Sequence, residues 1–141
     1  MSTATLAPPP SRTRPAVPDD GPALALRVSA GVDADRLAEE LGRAWRATAC
    51  ARRSAPGVAL SVVETCGRTP GERERDAMRL LADERHADRP RGTLRATLVS
   101  LGAGDHLLLL AAAPGATALA ALSAIAADLG RLYPVATIAL G

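Results

Sequence analysis

Apolar positions along residues 23–140 recur in two rhythms, short continuous or alternating runs and residues three or four apart. The runs ALALRVS (23–29), VALSVVE (58–64), TLRATLVSL (93–101) and HLLLLAA (106–112) read as strands. The last of them is apolar at every residue after His106, the pattern of a central strand buried on both faces. The helical rhythm governs three segments. Over 34–51, Leu37, Leu41, Ala44, Trp45 and Thr48 share a face, with Asp33 placed to cap the first turn. Over 72–88, Ala77, Met78, Leu81 and Leu80 point inward between charged residues, and Pro90 and Gly92 end the segment. Over 117–133, the expected stripe is Leu119, Leu122, Ile125, Ala126, Leu129 and Leu132, and Pro134 stops it. Gly102-Ala103-Gly104-Asp105 is a hairpin turn between two strands.

The order is βαβαββα, and VATIAL (135–140) is a further apolar, β-prone segment expected to join its own sheet or that of another chain. This order predicts an α/β two-layer sandwich, a mixed sheet with helices packed on one face. Residues 1–22 differ. Pro8-Pro9-Pro10, Pro15, Pro18 and Pro22 stand among Ser, Thr, Arg and Asp, so this stretch is expected to be a disordered Pro-rich tail ahead of one domain over 23–141.

Composition adds constraints. Hydrophobic residues make up 48% of the 141, but there is no Phe, one Trp and one Tyr. A core of Leu, Val and Ala fills less volume per residue, so a covering partner is expected to add stability. All 17 residues of the Lys+Arg count are Arg, as in coding from a GC-rich bacterial genome. They alternate with acids, as in Glu72-Arg73-Glu74-Arg75-Asp76, and form no basic stripe with aromatics, which argues against nucleic-acid binding. Cys50 and Cys66 lack metal-ligand spacing, and His86 and His106 are isolated, so no metal or cofactor is expected. The N-terminus has no apolar core of a signal peptide, and the apolar run 107–113 is too short to span a bilayer; a soluble, cytoplasmic protein is expected.

The strand–turn–helix over His106–Tyr133 is the frame on which many enzymes place catalytic groups. Its turn, Ala113-Pro114-Gly115-Ala116, carries no side chain able to move a proton, attack a carbonyl or hold a metal.

Three stretches resemble the N-terminal half of a nonribosomal peptide synthetase condensation domain, of the chloramphenicol-acetyltransferase-like superfamily. Val32-Asp33-Ala34-Asp35-Arg36-Leu37-Ala38-Glu39-Glu40-Leu41 is similar to that family's first helix start and leads to Arg52, near a family arginine. Leu94-Arg95-Ala96-Thr97-Leu98 is similar to the strand before the active-site hairpin. His106–Tyr133 aligns without a gap to the stretch that holds the family's His-His-x-x-x-Asp-Gly motif. On that alignment the two histidines become Ala113 and Pro114, the aspartate Ala118 and the glycine Leu119. The resemblance implies a half of the two-lobed fold, and it implies that the acid–base residue is replaced by Pro114. The family's opening Ser-x-Ala-Gln motif and second half have no counterpart in these residues.

The expectation is therefore a non-catalytic, condensation-like interaction or scaffold protein in specialised-metabolite biosynthesis, with no catalytic residue. Trp45, Arg52, Pro114 and Gly115 are the candidate binding residues. The expected partner is a protein: a second copy, a synthetase module or a carrier protein. Two alternatives stand beside it, a subunit of a split acyltransferase whose catalytic half is on another chain, and a small α/β regulatory or orphan protein.

Overall fold

The computed structural model describes residues 21–48, 58–86, 94–102, 104–115 and 117–140. Most of the Pro-rich stretch, Cys50 and Arg52 lie outside the described residues. Eight elements follow one another: β1 (Ala23–Val28), α1 (Ala34–Arg46), β2 (Val58–Val63), α2 (Pro70–His86), β3 (Leu94–Gly102), β4 (Asp105–Ala112), α3 (Ala118–Leu129) and β5 (Val135–Leu140). The five strands form one mixed sheet in the order β2-β3-β4-β1-β5. β2 runs parallel to β3, and the β3–β4, β4–β1 and β1–β5 pairs are antiparallel. The segment 135–140 thus joins its own sheet, beside β1, with a register shift between Ala25 and Leu26.

β4 lies at the centre, and Leu107 through Ala112 are all buried, as an uninterrupted apolar run requires. Alternate residues point to opposite faces. Leu108, Leu110 and Ala112 meet Leu24, Leu26 and Val28 of β1, together with Leu37, Leu41 and Trp45 of α1 and Leu122, Ile125 and Leu129 of α3. Leu107, Leu109 and Ala111 meet Ala23, Ala25, Val99 and Leu101, together with Ala77 and Leu81 of α2.

The mixed α/β sheet is the expected architecture, but its helices are not confined to one face. α1 and α3 cover one side and α2 the other, giving three layers. The strand order supplies the reason. The β1–α1–β2 crossover passes from an inner strand out to the sheet's edge, and β2–α2–β3 returns inward. Two crossovers that travel in opposite directions keep a common hand only if their helices lie on opposite faces.

Local chemistry sets the helix ends. The Asp33 carboxylate accepts from the Asp35 N–H (3.0 Å), capping α1 as expected. α2 begins two residues earlier than the periodicity predicts, because Thr69-Pro70-Gly71-Glu72 forms a capping box. The Glu72 N–H donates to Thr69 Oγ1 (3.1 Å) and the Thr69 N–H donates to Glu72 Oε1 (3.1 Å). Pro70 occupies the first helical position, where its missing N–H costs nothing. Gly67 approaches this turn closely: a Cβ there would stand 2.8 Å from the Arg73 nitrogen and 2.9 Å from the Glu72 carbonyl carbon. Gly104 takes φ 68 in the β3–β4 hairpin, in the left-handed region that glycine enters without strain.

The stripe of α3 is rotated from the expected one. Ala118, Ala121, Leu122, Ile125 and Leu129 are buried, while Leu119 is 45% exposed; Leu132, 48% exposed, lies past the end of the helix. Small residues turn toward the sheet at the start of the helix. Its C-terminal end closes at Gly130, and the Leu132 and Tyr133 N–H groups both fold back to the Leu129 carbonyl (2.9 Å each).

Trp45, the only Trp of the chain, is 1% exposed. Trp45→Ala is expected to lose about 3–5 kcal/mol of stability, read by chemical denaturation followed by far-UV circular dichroism. The capping box and the tight Gly67 contact predict smaller losses. Thr69→Ala should cost about 1 kcal/mol and Gly67→Ala about 1–3 kcal/mol, each read as a lower denaturant midpoint.

Acid should weaken the fold in a defined window. The backbone N–H groups of Arg68 and Thr69 hold the Glu72 carboxyl below its usual range, and the Arg27 guanidinium does the same for Asp105. A carboxylate depressed in the folded state binds its proton more readily when unfolded. Its contribution is therefore complete well above about pH 4 and is lost as the pH falls through the folded value. Thermal scans from pH 7 to pH 3 should show a flat melting temperature that then declines, with a smaller decline for Glu72→Gln.

Candidate functional site

The connection from β4 to α3 is the place to look for chemistry. β4 delivers Ala113, 8% exposed, at the end of the central strand. The chain then turns through Pro114 and Gly115, both exposed, and enters α3 with the Ala118 N–H donating to the Gly115 carbonyl (3.2 Å). Ala116 lies outside the described residues. A Cβ on Gly115 would meet nothing within 4 Å, so no close packing demands a glycine there. Ala118 is 2% exposed within the apolar cluster of the α1/α3 face, and Leu119 faces outward.

No ionisable side chain stands at positions 113–115 or 117–119. His106 is at the opposite end of β4, where its register partners are Val28 and Ser100. Ala112 lies six residue steps along the strand from it, a run of about 20 Å. Its Nδ1 is buried and makes no hydrogen bond among the described residues. Beside it, Asp105 holds Arg27 in a two-pronged ion pair (Nε to Oδ1 3.0 Å, Nη2 to Oδ2 2.6 Å), and Glu74 of α2 approaches the same guanidinium at 3.4 Å. Asp105 raises the Arg27 value above its ordinary one, so this cation keeps its charge and serves as a fastener.

Of the candidate binding residues, Pro114 and Gly115 come together on the surface turn. Trp45 does not join them. Its ring is enclosed between α1 and the sheet, so it packs the core and offers no surface anchor. Arg52 falls outside the described residues.

Two open clefts lie elsewhere. One, of about 350 Å³, separates the C-terminal ends of α1 and α3, with Glu40, Arg43, Asp128 and Arg131 around Leu129 and Leu132. Another, of about 380 Å³, lies between the segment after β2 and the outer side of α2, lined by Val63, Glu64, Thr65, Cys66, Asp76, Arg79, Leu80 and Asp83. The second had a signal in the sequence. Residues 76, 79, 80 and 83 share one helical face, which overlaps the inward stripe at Leu80. Among the described residues no group of three or more His, Cys, Asp or Glu is placed to hold a metal ion, and no helix is long and apolar enough to cross a membrane.

No protein-family model matches the sequence, and no curated protein matches it. Solved structures do. The chain is similar to the first condensation domain of the calcium-dependent antibiotic synthetase in complex with a substrate analogue, at 18% identity and a TM-score of 0.57 over 73% of this chain and 29% of that one. It is similar to the tallysomycin biosynthesis protein TlmII, at 21% identity and a TM-score of 0.56 over 83% of this chain and 34% of that one. The fold is that of part of a condensation domain. VibH, a nonribosomal peptide synthetase condensation enzyme, matches at 16% identity and a TM-score of 0.54, over 86% of this chain and 32% of VibH. The chain spans about a third of the length of these condensation-domain structures.

Within this condensation-like frame, the motif positions have environments that can be tested. Position 118 lies in an apolar cluster, so Ala118→Asp is expected to destabilise by about 3 kcal/mol or more, as an added buried charge does. Position 114 is exposed, so the imidazole in Pro114→His should titrate near about 6.5, the value of an unperturbed histidine, in an NMR pH series. A strongly shifted value would mean that the turn carries an environment built for an acid or base.

Proposed function

We propose that this chain is a non-catalytic, condensation-domain-like interaction protein of nonribosomal peptide or related specialised-metabolite biosynthesis, acting in the bacterial cytoplasm. The observation that carries the reading is the turn between β4 and α3. It combines the strand–turn–helix of the condensation fold with Ala113, Pro114 and Gly115, none of which can accept or donate a proton from its side chain. General acid–base catalysis needs a titratable group within hydrogen-bond reach of the reacting atom. His106 sits at the other end of the central strand. What such a frame retains is surface. The partner is a synthetase module, a carrier protein or a second copy of the chain.

One observation favours a second reading, a subunit of a split acyltransferase. The chain corresponds to about a third of each condensation structure, which leaves room for a separate polypeptide to supply the rest, including a base.

A single assay separates the two. Purified protein is incubated with donor and acceptor carrier proteins loaded as thioesters, alone and together with a polypeptide holding the remainder of a condensation fold. The expected result is no amide formation in either case, with capture of a synthetase module or carrier protein in a pull-down from the host. Turnover only in the mixture would establish the split enzyme, and turnover by the chain alone would overturn both readings.

A further inference from the structure

We draw no further inference here: the strongest candidate, the cleft between the segment after β2 and the outer side of α2, sets Glu64, Asp76 and Asp83 around Arg79 and the exposed Cys66 thiol, but an acidic cluster beside a lone cysteine, with no bound group in it, carries nothing about what it would hold.

Discussion

Everything in this molecule follows from burying β4 on both faces. A strand whose side chains are apolar in both directions must have its backbone paired on each edge and its side chains covered on each face, since unpaired backbone groups cost too much away from water. β3 and β1 provide the pairing, residue for residue along nearly the whole strand. Covering both faces then takes two layers of helix. The first is broad: α1 and α3 bring Leu, Ile and the single Trp against the even-numbered residues of β4. The second is narrow, with Ala77 and Leu81 buried and Met78 and Leu80 partly so.

The narrow layer is also the one fastened by arginines. Arg73 of α2 donates to the Gly67 carbonyl (3.0 Å) and to the Leu101 carbonyl at the end of β3 (2.9 Å), tying the helix to both of its neighbours in the chain. Arg95 of β3 pairs with Glu84 (3.0 Å), and Arg27 of β1 reaches Glu74. Ion pairs this exposed contribute little stability each. Arg73 is different in kind, because a charged donor on a backbone carbonyl makes a stronger bond than a neutral one. Apolar area places α1 and α3; for α2, a thinner apolar stripe is supplemented by polar contacts that specify its position along the sheet.

The turn after β4 inherits this rigidity. A central strand pinned on two edges and two faces is a firm support for catalytic side chains, and it presents here a methyl group, a pyrrolidine ring and a bare backbone. Position 118 is apolar as well. Where the resembling family carries an aspartate, this chain buries an alanine in its core, so the start of α3 is held by packing.

Much of this was legible in the residues. Period-two and period-3.6 patterns located all eight elements, because burial of one face imposes those periods directly on the chain. The start of α2 was read two residues too late, because the capping box of Thr69 and Glu72 extends the helix beyond its apolar pattern. The rotation of α3 was less legible. Leu119 is large and well spaced, yet the helix turns Ala118 and Ala121 inward, since close approach to the sheet at its start favours small side chains, and Leu132 lies past the end of the helix. The layering was not legible at all. The apolar run of β4 demanded cover on both faces, but which helix went where depended on strand order, a relation between residues far apart in the chain. Only the folded sheet, by sending one crossover outward and the next back, decided that α2 would lie opposite α1.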